Sequence, residues 1–278
     1  MNAPVNNIFT DLSYYSLFEV AEKARWLMKD IAWDEIDKSL VTPTLIETVK
    51  RIAFGELTTY SATRAFMDMF EDDIDFTQWL AVWLYEETKH PHALVKWLAM
   101  NDVELSGEFL MEGRTITPMT NSKVEMLTFN VISEIVAGNM YLLAADIAAE
   151  PVLKDITLKL AKDEMRHAVG FENYARKTIA EASDPDYERT VVLRSAWVFL
   201  QGDQFIHHPV FETVRSFDAL VGKGTIKKIR KQIASRIGNL AGVEIPEPEE
   251  IFDVYTKFKA DYRAKRNAKA VVEDTTKI

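Results

Sequence analysis

Two short stretches of the chain repeat one arrangement of donor side chains. Glu87 and His90, in YEETKHPHAL, stand three apart, and so do Glu164 and His167, in KDEMRHAV. Three helical residues turn the chain through about 300°, so an acid and an imidazole at this spacing project from one face. The chain has five histidines and spends two of them on this pattern. Two more acids sit in largely apolar text: Glu56, 31 residues before Glu87, and Glu134, 30 before Glu164. The turn-forming EDDID at 71–75 falls midway in the first interval, and AEPV at 149–152 midway in the second. Residues equidistant from a tight turn between helices return to one height, because each residue climbs ~1.5 Å. Two such hairpins face to face gather four carboxylates and two imidazoles at one level.

That donor set has a chemistry of its own. Four unpaired carboxylates cannot stay buried and charged, and two cations would neutralise them. Mixed oxygen and nitrogen ligands suit iron or manganese better than calcium. One Glu from each of two helices and Glu-x-x-His from each of two others is the ligand scheme of carboxylate di-iron bundles. The expected ligands are Glu56, Glu87, His90, Glu134, Glu164 and His167. Glu86 and Asp163 directly precede the two ligand acids. A ligand histidine needs an acceptor on its other ring nitrogen. Asp163 is expected to serve His90, and Glu86 to serve His167, across the site. Arg166 would balance the added charge; the competing reading of Glu86 and Arg166 is a surface ion pair. Pro91 follows His90 and should kink α-helical text, form a bulge or mark a restart. His92 points away from His90, and His207 and His208 read as surface or capping residues.

The elements that must carry these residues are helical. Apolar periodicity near 3.6 predicts helices at about 12–30, 43–70, 76–100, 121–149, 151–180, 187–204, 209–221, 224–240 and 247–266. An irregular insert at 101–122 contains GRTIT, a short strand or a loop, and the polar tail after 264 should fray. The expectation is a single all-α domain over 1–278, a four-helix bundle core with flanking helices, its ligand helices at about 43–180 and a C-terminal extension at about 187–266. With 47% hydrophobic residues, a sizeable core is possible. The net charge of −10, with no long basic stretch, argues against nucleic acid and anionic membranes as partners. The chain lacks cysteine, which excludes disulfides, thiolate metal sites and cysteine nucleophiles. The N-terminal text has no signal-peptide pattern, and no apolar run approaches the ~20 residues of a membrane helix. A cytoplasmic protein without membrane insertion is expected.

VWLYEETKHPHALVKWL resembles the second ligand helix of the soluble acyl-carrier-protein desaturases, within the ferritin-like di-iron oxidases and oxygenases. Trp83 matches a tryptophan four before the ligand Glu. SEIVAGN and AKDEMRHAVGFENY resemble that family's third and fourth ligand segments. GELTTY is similar to the first ligand helix of bacterial multicomponent monooxygenases. The resemblance covers about residues 50–180. It departs at Ala137 and Gly138, where the desaturases carry a threonine, and at Leu160, where arylamine oxygenases carry a further histidine.

The resemblance implies a ferritin-like fold and two iron ions, Fe/Fe or alternatively Mn/Fe. It implies dioxygen-dependent oxidation of an unactivated C–H bond, with an acyl thioester as leading substrate. A small-molecule monooxygenase and a non-catalytic iron-handling bundle are the competing readings. It also implies a ferredoxin-like electron donor, an acyl carrier protein as substrate carrier, and a homodimer. Ala137 and Gly138, one turn beyond Glu134, would leave room for dioxygen or substrate; close helix packing is the alternative. Tyr60 and Tyr141 would line the rest of the cavity, with Met67, Trp83 and Phe171; plain core packing is the competing reading of these apolar positions. For a radical-storing role, a tyrosine near the metals is required, and Tyr60, Tyr85 and Tyr141 are the candidates.

Overall fold

The computed structural model describes residues 13–114, 120–201 and 223–275. The helix expected at 209–221 and the histidine pair 207–208 lie outside them. Among the described residues there is no strand. The helices are α1 (Ser13–Ala24), α2 (Pro43–Glu56), α3 (Thr59–Met69), α4 (Ile74–Met100), α5 (Gly107–Glu112), α6 (Lys123–Ile147), α7 (Pro151–Glu181), α8 (Pro185–Gln201), α9 (Lys223–Ala241) and α10 (Ile251–Thr275).

Each bundle strut begins with a side-chain cap. Thr42 accepts from Leu45 N at the start of α2, and Asp73 from Phe76 N at α4. Ser122 accepts from Glu125 N at α6, and Glu150 from Val152 N and Leu153 N at α7. Pro43 and Pro151 fill first-turn positions where no backbone donor is needed. α2 and α3 pack along α4, α6 packs along α7, and the two hairpins meet through α4 and α7. α1 lies over α4 and α7, while α8 joins α6 to α9 and α10. One apolar cluster runs through all of this, from Trp26 and Val49 to Ile251 and Tyr255.

Four details differ from the sequence expectation. The helix predicted over 43–70 is two helices. After Glu56 the chain tightens: Thr58 N bonds Gly55 O at 3.1 Å, and Thr58 Oγ1 takes the same carbonyl at 2.7 Å. A threonine hydroxyl competing for a backbone acceptor interrupts the i→i−4 ladder. The helix predicted to reach residue 30 stops at Ala24, followed by three short 3-10 turns. The insert at 101–122 holds α5, capped by Ser106. α10 continues as helix to Thr275 rather than fraying after 264.

Pro91 produces neither a restart nor a π-bulge, and α4 runs through it. A mid-helix proline costs about 3 kcal/mol. Burial of Phe76, Trp79, Leu80, Trp83, Leu94, Trp97 and Leu98 on both sides of it offsets that cost. α6 is, by length and composition, apolar enough to cross a membrane, but 67% of that window is buried against its own neighbours.

Candidate metal centre

Glu56 ends α2, Glu87 and His90 sit mid-α4, Glu134 is mid-α6, and Glu164 and His167 are mid-α7. The chain turns between α3 and α4 and between α6 and α7 bring them to one height. Their donor atoms form two groups, each within 4.8 Å: Glu56, Glu87, His90 and Glu164, and then Glu87, Glu134, Glu164 and His167. Glu87 and Glu164 belong to both. The cluster therefore has two centres, each with one carboxylate and one imidazole of its own, and two carboxylates between them. Spacing alone does not tell which two acids are shared.

The imidazoles are oriented alike. His90 Nδ1 faces the cluster, 3.3 Å from Glu56 Oε2 and 3.2 Å from Glu164 Oε1. Its Nε2 faces outward, 3.3 Å from Asp163 Oδ2. His167 Nδ1 lies 2.8 Å from Glu87 Oε1, and its Nε2 lies 3.1 Å from Glu86 Oε2. Each outer carboxylate can hold the Nε2 proton, so that Nδ1 would offer a lone pair to an ion that displaces its own proton. Arg166 Nη2 joins the two outer acids, 2.9 Å from Glu86 and 2.7 Å from Asp163. Glu86 is 2% exposed at its side chain, so the surface ion pair is replaced by a buried one. His92 is exposed and takes no part.

The electrostatics describe a cluster short of positive charge. Burial pushes the Glu56 carboxyl up to about 8 against a hydrogen bond from His90. Burial and the neighbouring Glu164 hold Glu134 well above the ordinary carboxylate range. Burial also disfavours charge on His90, but Glu87 and Glu164 outweigh it and raise the imidazole well above its usual value. Two divalent ions would replace these protons. Two atoms fit that directly: Glu87 Oε1 and His167 Nδ1 are buried and without hydrogen-bond partners, although only 2.8 Å apart. Buried polar atoms left so are rare, and two ligands of one cation approach each other in this way. The donor set, oxygen-rich with one nitrogen per centre, fits two ions of the iron or manganese kind.

The supporting residues are partly as expected and partly new. Trp83 is buried, its ring edge-on to His167 with centroids 6.4 Å apart, and its Nε1 has no acceptor. The cavity expected at Ala137 and Gly138 is not there on the Gly138 side. A Cβ on Gly138 would lie 2.6 Å from Met165 Cε and 3.2 Å from Glu164 Cβ, so this glycine serves close α6–α7 packing. Ala137 is half-buried against the core. Tyr60 is covered by Arg114, whose guanidinium stands 4.1 Å over its ring. Tyr141 is fully buried and donates its hydroxyl to Glu56 Oε1 in a short hydrogen bond, so it engages a cluster acid instead of lining open space.

Sequence reading missed Thr59, Trp26 and Lys89. Thr59 Oγ1 donates to Glu87 Oε2 at 3.0 Å. Trp26 Nε1 donates to Asp163 Oδ2 at 2.8 Å, making a Trp26–Asp163–His90 chain. The Lys89 ammonium lies 4.6 Å over the Trp26 ring and 3.9 Å from Asp163. Thr59 was findable, since it lies three after Glu56 in the same segment. No local signal links Trp26 to a partner 137 positions away.

No family model matches the chain, and no curated protein matches it in sequence. Solved structures do. DesA2 of Mycobacterium tuberculosis H37Rv, assigned to the acyl-ACP desaturases, superposes with a TM-score of 0.55 at 18% identity, covering 86% of this chain and 95% of its own. The R2-like ligand-binding oxidase of Sulfolobus acidocaldarius gives 0.55 at 14%, covering 90% and 98%. A Bacillus halodurans protein assigned to class I ribonucleotide reductase gives 0.56 at 16%, covering 87% and 99%. All are ferritin-like di-iron superfamily members. The fold is the ferritin-like bundle. Within that fold the chain has a buried carboxylate–histidine cluster able to hold two metal ions.

Proposed function

We propose that this protein is a di-iron oxidoreductase that uses dioxygen to oxidise an unactivated C–H bond, most simply a desaturase-like oxidase of an acyl chain carried as a thioester. The observation that carries the reading is the pair of buried centres sharing Glu87 and Glu164. In it Glu56, Glu87, His90, Glu134, Glu164 and His167 are the ligands of two ions, Fe/Fe or Mn/Fe. The likeness to DesA2 favours the acyl substrate, and the likeness to the R2-like oxidases, some of which carry Mn/Fe cofactors, favours the metal pair.

When bound, the two ions supply one-electron redox steps and a place for dioxygen. The chain's own residues do the rest. Glu87 and Glu164, common to both donor groups, would hold both ions. Asp163 and Glu86 hold the outer imidazole protons, so that His90 and His167 would bind the ions as neutral ligands through Nδ1. Arg166, bound to both outer acids, balances their charge in a buried setting. The apolar wall of Trp83, Phe66 and Phe171 keeps water from that side. A ferredoxin-like donor, an acyl carrier protein, a homodimeric state and a cytoplasmic location complete the proposal. The continuous apolar cluster supports one domain.

A monooxygenase acting on a small molecule is the second reading; it is favoured by Ala137 and Gly138 in place of the desaturase threonine. Product mass separates the two. Protein reconstituted with Fe(II) is given a reductant, dioxygen and acyl thioesters. Loss of two hydrogens from the substrate is expected, and gain of oxygen overturns the desaturase assignment. Stoichiometric iron binding with no dioxygen consumption overturns both, and leaves a bundle that handles iron without turnover.

A further inference from the structure

The two centres are unequally prepared for an ion. At the centre of Glu56 and His90, the ligand atoms are already engaged by the protein. Tyr141 donates to Glu56 Oε1, and His90 Nδ1 lies 3.3 Å from Glu56 Oε2 in a hydrogen bond. Thr59 takes Glu87 Oε2 at 3.0 Å. At the centre of Glu134 and His167, the opposite holds. His167 Nδ1 and Glu87 Oε1 are buried 2.8 Å apart, and neither meets a hydrogen-bonding group from outside the six ligand residues. A buried acceptor without a donor from outside the cluster is costly, and an arriving cation recovers that cost. An ion entering the first centre must instead displace an existing hydrogen bond.

We infer that the centres fill in order, the Glu134–His167 position first and the Glu56–His90 position second, and that Tyr141 sets this order as a positioning residue. This rests on the two-metal reading above. Tyr141 occupies one oxygen of Glu56 and leaves the other for the ion, so Glu56 binds through a single oxygen. That weakens the second position and keeps one of its coordination sites open. Among the described residues, the hydrogen bonds of Glu134 are to Glu164 and His167, ligands of its own centre, and no outside hydroxyl takes it.

The test is a titration of the metal-free full chain with Mn(II), read by calorimetry and by electron paramagnetic resonance of free Mn(II), under argon. The expected result is two classes of site differing by about tenfold or more, which is what one charge-assisted hydrogen bond is worth. His167→Ala should abolish the tighter class and His90→Ala only the weaker. Tyr141→Phe, checked for an unchanged far-ultraviolet circular dichroism spectrum, should raise the affinity of the weaker class toward that of the tighter, because both Glu56 oxygens become free to chelate. Thr59→Val is the second variant and should act in the same direction by freeing Glu87 Oε2. Two equal classes in the parent protein, loss of the tighter class in His90→Ala, or an unchanged weaker class in both folded variants would overturn the inference. Absence of stoichiometric binding in every protein would overturn the two-metal reading itself.

Discussion

At the residue scale, the proposed chemistry depends on six donors and on what holds them from behind. Asp163 is the most heavily used of the supports. It accepts from Trp26 and faces His90 through Oδ2, pairs with Arg166 through Oδ1, and lies near the Lys89 ammonium. Although its burial is complete, His90, His167 and Arg166 hold its carboxyl below the ordinary range. Removing one partner of a buried charged network leaves the others uncompensated, which costs about 3–5 kcal/mol. Asp163→Ala should therefore lower the unfolding free energy of the metal-free protein by that amount in urea titration. A loss under about 1 kcal/mol would mean that solvent already reaches Arg166 and Lys89. Asp163→Asn, which keeps an acceptor for the Trp26 indole, should cost less.

At the element scale, the struts set the donors' height and two glycines set their separation. The Gly170 backbone lies against Trp79, so that a Cβ there would fall 2.1 Å from the indole Cζ2. The Gly138 position is also tight, but its nearest neighbour is the flexible end of Met165. A rigid ring buried among Phe76, Phe171 and Tyr174 cannot yield as a methionine can. Gly170→Ala should thus cost about 3 kcal/mol or more, and Gly138→Ala about 1–2 kcal/mol. Equal melting temperatures for the two variants would show that α7 shifts as a body. The same scale explains what could be read beforehand. The paired Glu-x-x-His segments and their centred turns encode the hairpins, because helical rise is a constant of the backbone. The break after Glu56 was hidden, since it depends on a single hydroxyl, that of Thr58, competing for the Gly55 carbonyl. The unbroken path through Pro91 was hidden too, because burial along the whole of α4 overrides a local preference. Trp26 lies beyond any periodic signal, in the irregular chain after α1.

At the scale of the whole molecule, the buried acids tie the stability of the fold to cation binding. Four carboxylates without cations must hold protons or repel one another, and burial has already pushed Glu56 and Glu134 up. Ions that bind only the folded chain stabilise it by about 2.7 kcal/mol at a hundred times their dissociation constant. Adding Fe(II) or Mn(II) to metal-free protein at neutral pH should raise the melting temperature by several degrees, and a chelator should reverse the rise. At 278 residues, with one apolar cluster joining bundle and flanking helices, the metal-free protein should still melt in a single transition. A melting temperature indifferent to both treatments would mean that the acids are neutralised internally.

The tight seam at Gly138 also gives the molecule a front and a back. α6 and α7 touch where Glu164 leaves its helix, so no passage runs between those two struts at that level. Glu56, whose side chain is 10% exposed while the other five donor residues reach at most 7%, stands at the break between α2 and α3. Of the six donors, Glu56 is then the one nearest bulk water, and exchange of protons or ions with the surroundings begins at this acid.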